Sequence, residues 1–424
     1  MIGKQEILDL VTRQGLRPGV IEKDYALGWI LAGINAHPIL SKSFVFKGGT
    51  CLKKCYFETY RFSEDLDFTV IDPELIKEDR LTEIFGEVSD WVMEESGLEL
   101  PFASFDTYEN KRGGTSSQGK LEYRGPVSSR GSLPRIKLDL TLDEILVDPP
   151  AIRNVIHEYS DLPSNGIQIP CYSFEEVFAE KIRALSERLR PRDLYDVVHL
   201  YWRDPEGVNK GRVTQVLKDK CQFKNIPLPT IKSLIEHPLR ADLDNDWEPM
   251  LGHQLRALPD LGQFWATLPD VFQWLYGEIK ARILEPIKTN DEIDMTWEPT
   301  APIPRSIRSP HLGAIQFAAA NRLCIDLRYN GSQRLIRPYS IRKSKAGHFL
   351  LMAVKHISMK PRSYRIDRIQ DVKISDQIFK PDYEIEIAKG GTFDVLPTKR
   401  KSRSSTASYM PKNSSKRKRN SRKR

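Results

Sequence analysis

Apolar and polar positions along the chain fall into three textures: a helix-strand mixture to about residue 204, a long helical stretch, and a strand-rich final third. Near the start, Ile7, Leu8, Leu10 and Val11, then Tyr25, Ala26, Trp29, Ile30 and Leu31, recur at helical spacing and predict two helices. With Gly15 and Pro18 between them, they imitate a helix-turn-helix. An apolar strand over 43–46, a turn at Gly48-Gly49, a helix over 50–60, a strand over 66–71 and a helix over 81–95 follow. Residues 106–135 are polar and rich in Gly and Ser around RGGTSSQGK, which predicts a loop, with strands over 121–127 and 135–142. In the second strand Ile136, Leu138 and Leu140 alternate with Lys137, Asp139 and Thr141, so Lys137 and Asp139 share a face.

Further on, Ser173 with Glu176 three residues later predicts a capping box at the head of an amphipathic helix. Pro191 is expected to stop that helix, and RDLYDVVHLYW to begin the next. Helical patterning continues over 210–287, with Trp247, Leu251, Leu255, Phe264, Trp265, Phe272 and Trp274 as core. A proline-rich linker spans 296–310. The period then changes to two: strands over 322–329, 334–341, 348–354 and 364–372, with Asn330-Gly331 as a hairpin turn, predict a small barrel.

Composition narrows the class. A chain of 424 residues has room for two or three domains. Its five cysteines are odd in number and form no CxxC pair, which argues against a disulfide framework or a structural zinc site and fits a reducing cytoplasm. The N-terminus lacks a signal-peptide core, and the apolar run over 29–40 is too short to span a bilayer, so no membrane partner is expected. Charge is strongly asymmetric: residues 1–304 carry 36 Lys/Arg against 49 Asp/Glu, whereas residues 305–424 carry 29 against 8. From 399 onward there are 12 Lys/Arg and no acid, a tail expected to remain disordered and to attract a polyanion such as RNA or DNA.

The candidate chemistry lies in KGGTCLKKCYFETYRFSEDLDF, residues 47–68. Asp65 and Asp67, two apart on a strand, point to one face and can hold Mg2+ together. The turn Gly48-Gly49, with Thr50 at a helix start, offers backbone N–H groups to a phosphate. Asp139, on a neighbouring strand, is placed to complete a two-metal site.

These residues closely resemble the first motif of the AbiEii/AbiGii toxin family, nucleotidyltransferases of the DNA polymerase beta superfamily. IEKDYALGWIL, RIKLDLT and FEEVFAEKIRALSERLRPRDLYDVVHLY agree with it, over roughly residues 5–285. The resemblance implies a Mg2+-dependent enzyme that moves a nucleotide from an NTP to an acceptor, an RNA such as the tRNA 3′ end in some members, with a cognate antitoxin. Carried over, Gly48, Gly49 and Thr50 would meet the triphosphate, and Asp65 and Asp67 the metal. Asp139 would complete the metal site or act as base, Lys181 would reach phosphate, and Asp193 or Asp196 would orient Lys181, the base or the acceptor. Cys51 and the charged pair Lys53-Lys54 depart from the small or apolar residues common in relatives.

The final third is similar to a WYL domain through IDLRYNG, RPYSI, HFLLMAV and YRIDRIQDV, with His348-Phe349-Leu350 in place of the name-giving triplet. That resemblance implies an Sm-like barrel that senses a nucleotide or nucleic acid. Arg322, Arg328, Arg334, Arg337, Arg365 and Arg368 would supply an anion-binding face, and Tyr339, His348 and Phe349 a stacking surface. The expected architecture is α/β (α+β): a polymerase beta-like nucleotidyltransferase core over 1–204, a helical lobe over 205–295, a linker over 296–310, a WYL-like Sm/SH3-like barrel over 311–390 and a basic tail over 391–424. Two rival readings stand beside it, a WYL transcriptional regulator whose first region no longer catalyses, and a kinase-like phosphotransferase on the same scaffold.

Overall fold

The computed structural model describes residues 1–14, 16–57, 60–109, 113–127, 131–202, 208–255, 258–277, 309–344, 348–383 and 385–387. Residues 296–308 of the linker expected over 296–310, the helical extension over 278–287 and the basic tail over 391–424 lie outside these residues.

Strands β1 (Phe44–Lys47), β2 (Asp65–Val70), β3 (Glu99–Glu109), β4 (Thr115–Arg124), β5 (Arg135–Thr141), β6 (Ala151–Asn154) and β7 (Gln168–Cys171) form one mixed sheet in the order β3-β4-β5-β2-β1-β7-β6. One face of its centre is apolar: Phe44, Phe46, Leu66, Phe68, Leu138 and Leu140, on one side of β1, β2 and β5, are all buried. Helices Pro18–Ala36 and Glu78–Ser96 pack with these strands in one hydrophobic cluster. The helix Pro18–Ala36 is buried almost continuously from Tyr25 to Ile34, which leaves no face to enter a DNA groove and removes the helix-turn-helix reading.

Two expectations for this region need correction. The helix placed over 50–60 begins at Gly48, runs as α-helix to Cys51, continues as a π-turn over Leu52–Tyr56 and stops where Phe57 turns extended. The loop expected over 106–120 is largely the β3–β4 hairpin, which pairs from Glu99 with Arg124 to Glu109 with Thr115. Its polar residues form strands because their hydrogen bonds are met locally. The Thr107 amide donates to Glu78 Oε1 at 2.7 Å, and the Thr107 hydroxyl donates to the Ile76 carbonyl at 2.9 Å.

Downstream, Ser173 caps the helix Phe174–Arg188 by accepting from the Glu176 amide at 3.1 Å. The reciprocal half of the expected capping box is absent. Glu176 instead accepts from the Val147 and Asp148 amides, each at 3.0 Å, and pairs with the buried ammonium of Lys220 at 2.9 Å. Pro191 opens the helix Pro191–Trp202, where its missing N–H costs nothing. The helical lobe follows as Lys210–Phe223, Ile231–Ile235, Asp242–Leu251 and Leu261–Tyr276. Trp247, Leu251, Phe264 and Phe272 are buried as expected, while Leu255, Trp265 and Trp274 pack at its margin.

A helix that the strand pattern concealed, Leu312–Ala320, precedes β8 (Leu323–Tyr329), β9 (Ser332–Lys343), β10 (Phe349–Lys355), β11 (Pro361–Arg365) and β12 (Ile369–Ile378). The single strand expected over 364–372 is divided between β11 and β12 by the short turn Ile366–Arg368. All neighbours are antiparallel in the order β11-β10-β9-β8-β12, a five-stranded sheet with β11 and β12 at its edges. Asn330 and Gly331 both take positive φ, as a tight hairpin turn requires. Among the described residues no helix is long and apolar enough to cross a membrane.

Candidate active site

The sheet order brings the sequence-distant carboxylates together. β2 runs parallel to β5 and pairs Asp65 with Lys137 and Asp67 with Asp139, while antiparallel β1 sets Lys47 opposite Asp67. Side chains alternate across a sheet, so Asp65, Asp67, Lys137 and Asp139 project from one face. Gly48 follows Lys47 directly, with φ of +79°, and a Cβ there would lie 2.1 Å from Asp67 Oδ2. Only glycine fits, because the turn needs left-handed backbone and the carboxylate needs the space. The Thr50 hydroxyl donates to the Asp65 carbonyl, which ties the turn to β2.

These carboxylates sit in a charged and partly desolvated setting. Burial, and then the negative charge of Asp139, push the Asp67 carboxyl up to about 6. Burial also raises Asp65. Asp139 is held by Lys137 Nζ at 2.7 Å on Oδ2 and by Gln118 Nε2 at 3.3 Å on Oδ1. Asp65, Asp67 and Asp139 present carboxylate oxygens from one face of the sheet, the donor type that Mg2+ prefers. Their ligand oxygens do not all lie within 4.8 Å of one another. Among the described residues, the one triple of His, Cys, Asp or Glu whose ligand atoms lie within 4.8 Å of one another is Cys51, Cys55 and Cys171.

Behind the carboxylates lies a buried ion-pair network. Lys181 Nζ lies 2.8 Å from Asp196 Oδ2. Arg61 grips Asp196 in a fork, Nε to Oδ1 at 2.7 Å and Nη2 to Oδ2 at 2.8 Å, and the Tyr60 hydroxyl donates to Oδ1 as well. Against the effect of burial, Arg61 and then Lys181 hold the Asp196 carboxyl well below the usual range. Lys47 lies 3.8 Å from Glu180, one residue before Lys181. Asp196 therefore pairs with Lys181, whereas Asp193 is occupied by Arg188, at 2.7 and 2.8 Å. Glu22 accepts from the Val127 amide and Asp24 pairs with Lys54 at 2.7 Å, both as braces of the fold.

Sequence reasoning missed Arg61 and Glu180, whose partners come from distant segments. Arg192 Nε is buried without a hydrogen-bond partner among the described residues. Burial, and then Arg61, lower its affinity for its proton, while Asp65 and Glu64 oppose that shift.

A family model described as "Nucleotidyl transferase AbiEii toxin, Type IV TA system" matches residues 29–277. The chain belongs to the AbiEii family. This AbiEii chain is thus a nucleotidyltransferase toxin of the type IV toxin–antitoxin class, with a mixed α/β nucleotidyltransferase-like core and a helical lobe. Membership implies an NTP substrate and an antitoxin partner. A second model, the WYL domain, matches residues 310–374. Among solved structures, the AbiEii chain is similar to MenT4, a nucleotidyltransferase toxin from Mycobacterium tuberculosis, at 19% identity over 66% of this chain and 91% of that one, with a TM-score of 0.47. It is also similar to JHP933 from Helicobacter pylori, at 18% identity over 61% and 93%, with a TM-score of 0.41. No curated protein sequence matches the chain.

In the WYL segment the residues expected to form the anion-binding face divide between occupied or buried positions and accessible ones. Tyr339 is only 2% exposed, its ring set edge-on to Phe379 and Tyr383, and so offers no stacking surface. Arg337 pairs with Asp382 at 3.1 Å, Arg365 with Asp367 at 2.6 Å, and Arg334 is buried with Nη1 donating to the Tyr329 carbonyl at 2.6 Å. His348 and Arg368 are exposed and Phe349 is half-buried.

Proposed function

We propose that this AbiEii toxin transfers a nucleotide from an NTP to an RNA acceptor, the tRNA 3′ end first among candidates, with Mg2+ held by Asp65, Asp67 and Asp139. The pairing of Asp67 with Asp139, beside a Gly48 that only glycine can occupy, carries the reading. When bound, Mg2+ would supply charge neutralisation on the triphosphate. The backbone N–H groups of the turn over Gly48, Gly49 and Thr50 would cradle phosphate at the helix start. Lys181, its ammonium oriented by Asp196, would reach the phosphates. Arg192 is available to an incoming anion on the side of Asp65. Asp139 would either complete the metal set or take the acceptor's proton, and in both roles Lys137 must release Oδ2. Asp193, fixed by Arg188, would act at one remove, by holding the helix that carries Asp196.

The regions 1–204, 205–295 and 311–390 would divide the work as catalytic core, supporting lobe and sensor, with the basic tail drawing nucleic acid to the protein. In the sensor, His348, Phe349 and Arg368 are the accessible candidates for a nucleotide or nucleic-acid ligand, within a sheet expected to close as a small barrel. Incubating the protein with total bacterial RNA, Mg2+ and each NTP in turn, then sequencing the RNA 3′ ends, tests acceptor and base together. Added nucleotides on tRNA ends with one NTP are expected. An unchanged tRNA pool alongside extended ends in another RNA class would reassign the acceptor.

A further inference from the structure

Three of the five cysteines converge. Cys51 and Cys55 are four apart across the α-to-π junction that follows the Gly48 turn, so both face the same way. Cys171 ends β7, in register with Phe46 of β1, and so lies beneath that helix. The three sulfurs lie within 4.8 Å of one another, and Cys51 and Cys171 are fully buried while Cys55 is 8% exposed. The linear sequence concealed this, because only the Cys51/Cys55 pair is local and the third member arrives through the sheet.

We propose that Cys51, Cys55 and Cys171 bind a thiophilic metal ion, Zn2+ foremost, as a three-sulfur site with its fourth position open to a neighbouring cavity. An ion about 2.3 Å from each sulfur requires tetrahedral sulfur separations of about 3.8 Å, which a cluster bounded by 4.8 Å reaches by small side-chain adjustments. The cavity, of about 210 Å³, is lined by Cys55, Tyr56, Arg153, Ser173 and Glu175 among others, which gives the ion an entry path and space for a water or small anion. Three thiolates and Zn2+ leave one net negative charge, and the Arg153 guanidinium, 4.8 Å from the centre of the Tyr56 ring, is placed to balance it. The ion would pin the helix that continues the phosphate turn to the end of β7.

Cobalt titration of the full chain, reduced and stripped by chelator, tests this without reference to nucleotidyl transfer. Co2+ at carboxylates gives no thiolate charge-transfer band, so the two readings fail separately. One thiolate-bound Co2+ per chain is expected, with charge-transfer and tetrahedral d–d bands that Zn2+ abolishes. Cys55→Ser and Cys171→Ser, checked for folding by circular dichroism, should weaken binding at least as much as loss of an outer-shell partner, about 10–100-fold. Cys221→Ser and Cys324→Ser should titrate like wild type. If a serine variant fails to fold, the wild-type titration still decides. A folded wild-type chain without the charge-transfer band, a band unchanged in the Cys55 and Cys171 variants, or a disulfide among the three in the freshly isolated protein would overturn the proposal.

Discussion

Gly48 concentrates two demands in one residue, a left-handed backbone and contact with Asp67. Gly48→Ala should therefore lose about 1–3 kcal/mol in urea unfolding, and nucleotide transfer should fall with it. A result near zero would mean that the turn can relax. Asp67 makes a separate prediction about pH. Its folded-state carboxyl titrates at about 6 against an ordinary 3.8, so between these values the folded chain keeps a proton that the unfolded chain has released. Its contribution therefore lowers stability as pH rises through that window, and the whole penalty is present above about 6. In chelator, Asp67→Asn should raise the thermal midpoint at neutral pH, and the gain should vanish below about pH 4. A gain independent of pH would point to packing instead of charge. At this scale much was legible in the sequence, since Asp65, Asp67, Asp139 and Gly48 stand in local patterns that period and turn chemistry expose. Arg61 was not, because its meaning depends on Asp196, a partner supplied by the fold.

Among the elements, the helices Phe174–Arg188 and Pro191–Trp202 matter through what they present to the sheet. Asp196, fully buried, is shared by Lys181 and Arg61. Its removal leaves two cations without a counter-charge, so Asp196→Ala should cost about 3–5 kcal/mol in chemical denaturation. Asp193→Ala should cost less, since Arg188 is about half-exposed and can turn to water. Equal losses would imply that both carboxylates anchor the fold in the same way. Strand prediction succeeded where alternation was sharp, as in β5, caught only the 121–124 end of β4, and missed β3, β6 and β7. In the hairpin, the Thr107 amide and hydroxyl find partners at Glu78 and Ile76 that no periodicity reveals. The two short strands owe their existence to pairing with each other and with β1.

Across the whole molecule, the regions expected to be separate share one hydrophobic core. Phe317, on the helix leading into the five-stranded sheet, meets Tyr195, Trp202 and Phe264 with ring centres 5.4 to 6.0 Å apart. Tyr195 precedes Asp196, so the packing that seats the WYL segment also seats the helix behind the carboxylates. Phe317→Ala should cost about 3–5 kcal/mol. It should also lower the unfolding midpoint of both regions together, read by tryptophan fluorescence and circular dichroism, whereas two separated transitions would show independent domains. This continuity was not legible in the sequence, where the proline-rich stretch and change of period suggested a boundary. The central claim concerns chemistry at Asp65, Asp67 and Asp139. Its most direct test supplies NTP labelled in parallel at the alpha or the gamma phosphate, with Mg2+ and RNA, to wild type and Asp67→Asn. The account predicts alpha label in RNA and none from gamma with wild type, and neither with the variant. Gamma label in the product, or equal alpha labelling by the variant, would contradict it.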